Sequence, residues 1–186
     1  MQLLRDENVI VLEFLPKGHS TGRQEPIAQV IGDKYFSLLE VVVRKDAELK
    51  PGDKVYIGES KRDKIDHIKR RINVNDLTSF AKSELPFVIE KLVKENETKF
   101  VNFFNTAQPI STRFHQLELI PGIGKKHLWD IIDERKKTPF TSFEDMKKRI
   151  KLMPDPANSV IKRIMEELED ENIRFRLFVA GPIKRF

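Results

Sequence analysis

Up to about residue 72, the chain consists of short β-branched and aromatic runs separated by turn residues. Apolar positions with a period of two favour strands, so this pattern predicts a small antiparallel sheet. The five predicted strands cover residues 8–15, 27–31, 35–44, 54–58 and 64–72. In the fifth, the spacing of Ile65, Ile68 and Ile72 is imperfect for a strand, and a helix is the alternative.

After residue 74 the apolar residues recur every three or four positions, which is typical of amphipathic helices. Ser83 is a suitable cap for one helix, with Pro86 tolerated in its first turn, and a shorter helix precedes it. The other predicted helices cover residues 97–107, 112–119, 125–136 and 155–170, and a further helix begins after a cap at Ser142 or Thr141. Residues 173–179 alternate again and predict a strand that returns to the sheet. The sequence therefore predicts an α+β fold with two domains, residues 1–74 and residues 75–186.

The composition narrows the classes of protein that fit this pattern. The chain has 186 residues, with 34 Lys and Arg against 29 Asp and Glu, and a formal net charge of +5. Its 13 Phe and 39% hydrophobic residues suffice for a packed core. The absence of cysteine excludes disulfides, thiolate zinc sites, cysteine-ligated iron–sulfur clusters and a cysteine nucleophile.

The sequence carries no visible targeting or membrane-spanning segment. No run approaches the roughly 20 apolar residues of a membrane-spanning helix. Residues 1–7 also lack the basic stretch, followed by an apolar one, that begins a secretory signal. We therefore expect an unexported, cytoplasmic protein without a membrane partner.

The most informative segment is residues 120–124, which predict a tight hairpin at the start of a helix. Gly122 and Gly124 let the backbone turn sharply and approach a ligand without an obstructing Cβ. The unpaired amides and the positive dipole end of the following helix favour an anion such as phosphate. Lys125 and Lys126 in the first turn are unfavourable for the helix alone, but they suit a bound anion.

Residues 119–126, with the apolar positions that follow them, resemble the helix-hairpin-helix motif of DNA and RNA repair, recombination and translation proteins. Residues 139–146 are similar to the segment that often opens the next helix in such proteins, so the resemblance extends over about residues 112–152. It implies that the phosphate backbone is contacted by Gly122, Ile123, Gly124, Lys125 and Lys126. A hairpin of this kind also serves as a plain turn between helices, and a structural hairpin is the alternative interpretation.

The whole chain resembles, more weakly, an archaeal family of unknown function described as predicted RNA-binding proteins. Residues 52–58 and 69–72 carry this resemblance. It implies that residues 1–74 form a small OB-like antiparallel β-barrel, followed by an α-helical helix-hairpin-helix domain. It also implies a role linked to translation, with RNA favoured over DNA and with ribosome or rRNA-processing components as further partners.

Clusters of basic residues add a second indication of nucleic-acid binding. Residues 61–71 hold six cations and two acidic residues, and further basic clusters lie at residues 135–137 and 147–151. Lys and Arg that neutralise phosphates dominate sequence-independent affinity, although a charge run is often only a solvated surface. The candidate nucleic-acid contacts in the first cluster are Lys61, Arg62, Lys69, Arg70 and Arg71.

Signals for catalysis are weak. Asp145 lies 21 residues after Gly124, a spacing that superficially suits the catalytic aspartate of helix-hairpin-helix DNA glycosylases, but helix capping already explains it. The four histidines lack metal-ligand spacing, and no nucleotide-binding glycine fingerprint is present. We therefore predict a non-enzymatic nucleic-acid-binding protein with no catalytic residues, metal or cofactor. The alternatives are a protein-interaction module with a structural hairpin, and a DNA repair glycosylase or lyase.

Overall fold

The computed structural model describes residues 5–21 and 24–181 of the chain. The strands are β1 (Asn8–Leu15), β2 (Ile27–Gly32), β3 (Leu38–Val43), β4 (Lys54–Tyr56), β5 (Ile65–Arg71), β6 (Pro109–Ser111) and β7 (Phe114–His115). The helices are α1 (Ser79–Glu95), α2 (Glu97–Thr106), α3 (Lys125–Lys137), α4 (Phe143–Arg149) and α5 (Pro156–Glu169). Short 3-10 turns lie at Val74–Asp76 and Gln116–Leu119.

Strands β1 to β5 form one antiparallel sheet in the order β4-β1-β2-β3-β5. The sheet curls into a half-barrel, and with the five helices it confirms the predicted α+β class. Each of the five strands predicted before residue 72 is present, with ends shifted by a few residues. Within the described ranges no strand ladder joins β4 to β5, so the predicted barrel is confirmed only as an open half-barrel.

One face of the sheet carries a core of small branched side chains. This buried cluster consists of Val9, Val11, Ala28, Val30, Val41, Val43, Leu49, Val55, Ile57 and Ile65. The strand members alternate along β1, β2 and β3, so the period-two pattern of the sequence places them on the same face. Burying each Val, Leu or Ile contributes about 1.5–3 kcal/mol, and this face therefore stabilises the curled sheet.

The start of α1 packs against the other face of the sheet through polar contacts. Gln29, buried in β2, donates from Nε2 to the Asp76 carbonyl (3.0 Å) and accepts from the Thr78 amide (2.9 Å). Thr78 caps the helix, because its Oγ1 accepts from the Ala81 amide (3.1 Å) and also donates to Glu13. These hydrogen bonds fix the residue at which α1 begins.

Helix α1 differs from the two short helices that the sequence predicts. It runs without a break from Ser79 to Glu95 with Pro86 in its interior, so the cap predicted at Ser83 is wrong. Ser83 instead donates from its hydroxyl to the Phe80 carbonyl (2.7 Å). Pro86 has no N–H to donate to the carbonyl of residue 82, four positions earlier. Both residues lie at exposed positions, so the helix tolerates the proline.

The helix predicted at residues 112–119 is also wrong, whereas α2, α3 and α5 confirm the helices predicted at 97–107, 125–136 and 155–170. In its place the chain forms the two-stranded β6–β7 ladder and a 3-10 turn. His115 caps that turn by accepting from the Leu117 amide (3.1 Å), while Glu118 accepts from the His115 amide (2.8 Å). Histidine is outside the usual set of capping residues, so the sequence pattern did not indicate this turn.

The chain packs as two compact units, which divide it between residues 88 and 89 and between residues 166 and 167. The first unit holds the five-stranded sheet and the C-terminal segment, and the second holds α2, α3 and α4 with the hairpin before α3. The predicted division into residues 1–74 and 75–186 stays a prediction. No helix in the described part of the chain has the length and apolar character needed to cross a membrane.

A buried carboxylate holds the C-terminal segment within the first unit. Glu167, 1% exposed, accepts from the amides of residues 177, 178 and 179 at 2.7, 3.0 and 2.9 Å. Arg71 donates to the carbonyls of residues 180 and 181. The strand predicted at residues 173–179 is therefore wrong, because its last three amides bind a carboxylate and not a neighbouring strand.

Candidate nucleic-acid interface

Residues 120–123 form a tight turn that ends just before α3. The Ile123 amide donates to the Ile120 carbonyl (3.0 Å), with Pro121 in the second position and Gly122, at φ +86°, in the third. This is a type II β-turn, in which proline presets φ at the second position and glycine adopts the positive φ of the third. The Pro-Gly pair therefore accounts for the sharp reversal of the chain.

Ile123 packs inside the second unit, whereas Gly122 is exposed and lies next to the segment before α5. A Cβ on Gly122 would lie 3.0 Å from Cγ of Pro154, so a larger residue would push against the segment before α5. Ile123 is only 5% exposed. Ile123 therefore positions the hairpin, while Gly122, Gly124, Lys125 and Lys126 are exposed on it.

Neither packing nor backbone conformation accounts for the glycine at position 124. Gly124 has φ −90° and ψ −174°, an extended conformation that any residue adopts, and a Cβ built on it meets nothing within 4 Å. It is the N-cap of α3, and among the described residues no side chain accepts a hydrogen bond from the first-turn amides there. The amides at the start of α3 are therefore open to an acceptor from outside the chain.

Other helices of the chain carry their own acceptors or acidic residues at their starts. Ser142 accepts from the Asp145 amide (3.0 Å) at α4, and Asp155 accepts from the Asn158 amide (3.0 Å) at α5. Helix α2 lacks a side-chain cap but has Glu97 in its first turn. Helix α3 has neither a cap nor an acidic residue there, and begins with two lysines.

The two lysines in the first turn of α3 have different surroundings. Nζ of Lys125 lies 2.6 Å from Oε1 of Glu118, and this hydrogen bond holds the pKa of Glu118 below its ordinary value. Lys126 is exposed, and its side chain forms no ion pair or hydrogen bond with the described residues. Lys126 is therefore the free cation of the hairpin. Lys125 forms an ion pair with Glu118, a residue that the sequence did not indicate as part of the site.

An exposed tryptophan lies one turn further along α3. Trp129, the only tryptophan of the chain, is 59% exposed. Residues three and four positions apart are neighbours on a helix surface, so Trp129 shares a face with Lys125 and Lys126. The sequence did not indicate Trp129 as a site residue. The pattern formed by the buried Leu128 and Ile131 does not reveal that the aromatic side chain between them stays exposed after folding.

The basic cluster at residues 61–71 belongs to the first unit, and most of its predicted contacts already have partners there. Nε of Arg62 donates to the carbonyl of residue 58 (2.8 Å), Nζ of Lys69 lies 2.8 Å from Glu25, Nε of Arg70 lies 3.5 Å from Glu40, and Arg71 holds the C-terminal segment. Lys61 and the adjacent Lys64 have no side-chain partner within residues 5–21 and 24–181. The structure thus places the hairpin residues together in one unit and this cluster in the other.

Arginines in the two remaining basic clusters serve the second unit itself. Arg135 donates to the carbonyls of residues 104 and 107 (2.8 and 2.9 Å) at the end of α2, and burial lowers its pKa. Arg149 lies 3.3 Å from Glu134 and 4.5 Å over the ring of Phe140. Lys136, Lys137 and Lys147 are also within ion-pair distance of acidic residues. Lys148 and Lys151 have no side-chain partner in the described ranges.

Asp145, the residue on which the glycosylase alternative depends, is engaged in local contacts. Its carboxylate accepts from the Thr141 amide (3.1 Å) and from Arg149 (3.2 Å). The hydrogen bond from the Thr141 backbone, followed by the Arg149 interactions, lowers the pKa of Asp145. Among the described residues, no three His, Asp or Glu side chains are grouped so that they could hold a metal ion.

The chain is similar to archaeal proteins over most of its length. The model of a family described as "Protein of unknown function (DUF655)" matches residues 5–180. A Methanocaldococcus jannaschii protein, described as "Uncharacterized protein MJ0038", is 45% identical over 170 residues, which cover 91% of this chain and 77% of that protein. The crystal structure of Af1531 from Archaeoglobus fulgidus, described under the same family model, has a TM-score of 0.85 and 46% identity; the match covers 94% of this chain and all of that one.

Proposed function

The chain belongs to this family of proteins of unknown function, and from its own residues we propose that it is a non-enzymatic nucleic-acid-binding protein. The hairpin at residues 122–126 contacts the phosphate backbone, as it does in the helix-hairpin-helix proteins that the segment resembles. Amide and lysine contacts to phosphate position a nucleic acid without reading its bases, so we expect little sequence specificity.

The open start of α3 is the observation that carries this proposal. In the described part of the chain, the first-turn amides have no side-chain cap, a Cβ built on Gly124 would meet nothing within 4 Å, and the side chain of Lys126 is free. Backbone amides and the dipole at a helix start favour an anion, and a nearby lysine adds its charge. Two lysines in the first turn are unfavourable for an isolated helix, and a bound phosphate removes that conflict.

Cations that lack a side-chain partner are the strongest candidates for contacts to phosphate. Lys126 in the hairpin and Lys61 in the first unit support the proposal, because neither has a side-chain partner among residues 5–21 and 24–181. Arg62, Lys69, Arg70 and Arg71 stay weaker candidates, since each would have to give up or share an existing contact. Lys125 would exchange Glu118 for the phosphate.

RNA is favoured over DNA because the archaeal family of unknown function that the sequence resembles is described as predicted RNA-binding proteins. The same resemblance favours an OB-like identity for the half-barrel, which is supported by its five antiparallel strands and open edge. It also makes ribosome or rRNA-processing components the expected setting of the protein in an archaeal cell.

The substitution Gly124→Asp separates binding from folding. The new carboxylate would accept hydrogen bonds from the first-turn amides of α3 and repel phosphate. Because Asp is a slightly better N-cap than glycine and nothing within 4 Å obstructs it, the free energy of unfolding should stay constant or rise by a few tenths of a kcal/mol. Loss of charge-assisted hydrogen bonds should weaken binding by about 10- to 100-fold.

The measurement is the fluorescence anisotropy of end-labelled RNA and DNA oligonucleotides, single-stranded and duplex, titrated with the full chain at low salt. Lys126→Ala should also weaken binding, by several-fold. Lys82→Ala is the matched control, because it removes from α1 another exposed lysine without a side-chain partner among the described residues, and it should have no effect. The proposal fails if no oligonucleotide binds, or if folded Gly124→Asp retains the affinity of the unmodified protein.

A further inference from the structure

Trp129 is a large aromatic side chain without a structural role that explains its position. It is 59% exposed on α3 and makes no ring, cation or hydrogen-bond contact with any other described residue. Tryptophan usually buries its large apolar surface, and one that stays exposed is typical of a binding surface. The exposure of Trp129 therefore indicates a binding partner outside the chain.

The position of Trp129 relative to the hairpin defines what that partner must offer. Helices rise 1.5 Å per residue, so Cα of Trp129 lies about 6 Å along the axis from Lys125. Side chains on a helix lean toward its N-terminus, which places the indole over the turn that contains Lys125 and Lys126. A ligand at this surface meets a free ammonium and open amides at one end and a flat aromatic ring at the other.

We infer that Trp129 is a stacking platform for an unpaired base of a single-stranded nucleic acid. This inference rests on the proposed function, because the phosphate next to that base is the one held at the start of α3. The face of an indole stacks on any base, which suits a site that holds the backbone without reading sequence. Bases inside a duplex are stacked on one another, so duplexes gain nothing from Trp129. The substrate class is therefore single-stranded RNA, or unpaired segments of a folded RNA.

The charges on the hairpin side of Trp129 favour a polyanion over a protein partner, while Asp133, in the turn after Trp129, lies 3.9 Å from Lys136. Exposed tryptophans also anchor protein interfaces, but there the surrounding residues are depleted in lysine. On α3 the neighbouring turn holds two lysines and an uncapped set of amides. An anionic backbone with flat bases matches both features of the surface.

The experiment uses the indole itself as the reporter, since Trp129 is the only tryptophan in the chain. The full chain is titrated with a single-stranded oligouridylate of about 12 nucleotides and with a mixed-sequence RNA duplex of similar length. Stacking should quench the fluorescence with the single strand and leave it nearly unchanged with the duplex. In anisotropy measurements with labelled RNA, Trp129→Ala should weaken single-strand binding by about 10- to 100-fold and leave duplex binding unchanged.

Two further variants make the result specific. Trp129→Phe keeps an aromatic face and should retain most of the single-strand affinity. Phe87→Ala removes an aromatic side chain that is even more exposed, at 68%, from α1 and should have no effect. Circular dichroism checks that each variant folds, as expected for exposed positions.

The outcomes separate this inference from the proposed function. If single strands and duplexes bind but folded Trp129→Ala changes neither affinity, or weakens both equally, the stacking platform is wrong and the phosphate site stands. If binding persists without quenching, Trp129 belongs to a different surface, such as a protein interface, and the inference also fails. If neither probe binds at low salt, both proposals fall.

Discussion

At the scale of single residues, Asp6 organises the turn between β2 and β3. Its carboxylate is 7% exposed and accepts from the amides of residues 34, 35 and 37 at 2.9, 2.8 and 3.3 Å. A Cβ on Gly32 would lie 1.9 Å from Oδ2 of Asp6, so only glycine leaves room for the carboxylate. The buried Phe36 has φ +54° in this turn, a conformation that bulky residues rarely adopt. The hydrogen bonds from the amides on both sides of it to Asp6 help to hold this conformation.

Removing this carboxylate should destabilise the protein. Asp6→Ala leaves three amides without their acceptor, and we expect the free energy of unfolding to fall by about 3 kcal/mol. Gly32→Ala should cause a similar loss, because the new methyl group displaces the same carboxylate. Urea unfolding followed by circular dichroism measures the change. Asp46→Ala, at an exposed position, is the control and should stay within about 0.5 kcal/mol; an equal effect of both aspartate variants would contradict this role.

At the scale of elements, a polar row crosses three strands on one face of the sheet. Gln29 of β2 lies opposite Glu40 of β3, which in turn lies opposite Arg70 of β5. Glu40 is 1% exposed and also lies 2.8 Å from Nε2 of His19, in the loop after β1. Burial raises the pKa of Glu40, but the hydrogen bonds and charges of His19 and Arg70 outweigh burial and hold it below its ordinary value.

The lowered pKa of Glu40 makes part of the stability depend on pH. Between the folded pKa and the higher unfolded pKa, the unfolded state binds more protons, so stability falls as pH falls through this range. Above the unfolded pKa the contribution is complete. Glu40→Gln should therefore lower the free energy of unfolding by about 1–3 kcal/mol at neutral pH, and the difference should shrink as the pH is lowered through the acidic range.

Urea unfolding at a series of pH values tests this dependence. Glu48→Gln changes an exposed glutamate without a side-chain partner in the described ranges, and its curve should run parallel to that of the unmodified protein. The contrary result is a free energy of unfolding of Glu40→Gln that differs from that of the unmodified protein by the same amount at every pH from neutral to acidic. That result would show that the carboxylate charge is not what stabilises the row.

The sequence predicts those elements whose conformation follows from the local pattern of residues. It does not predict those whose conformation depends on contacts that only folding forms. The strands before residue 72 and helices α2, α3 and α5 follow from their own periodicity and caps. Residues 109–119 do not, because a histidine cap and a short ladder replace the helix. Residues 173–179 alternate like a strand, yet the amides of residues 177–179 donate to Glu167, which lies 10 to 12 residues earlier in α5.

At the scale of the whole molecule, the sequence predicts where positive charge accumulates but not which cations are free. Residues 109–186 hold 16 Lys and Arg against 12 Asp and Glu, while residues 1–108 hold 18 against 17. Pairs such as Arg149 with Glu134, or Lys125 with Glu118, form between residues that only folding brings together. The hairpin was predictable from its glycines, whereas its single free lysine and the exposed Trp129 were not.

The number of free cations limits how strongly binding can depend on salt. For single strands, the slope of log affinity against log salt is about −0.7 per phosphate contact. In the hairpin and the three basic clusters, the unpaired side chains among the described residues are Lys61, Lys64, Lys126, Lys148 and Lys151. We therefore expect a slope no steeper than about −3.5, much shallower than if every basic residue of these clusters bound a phosphate.

The variant Lys126→Ala measures the contribution of the hairpin to that slope. Anisotropy titrations over a series of salt concentrations should give a slope shallower by about 0.7 than that of the unmodified protein. Lys82→Ala should leave it unchanged. A slope near −7 would require about ten phosphate contacts, which paired residues such as Lys69 and Arg70, or cations outside these clusters, would have to supply. Glu40→Gln and Lys82→Ala then identify the source, because the first removes the charge that pairs with Arg70 and the second removes a cation outside these clusters.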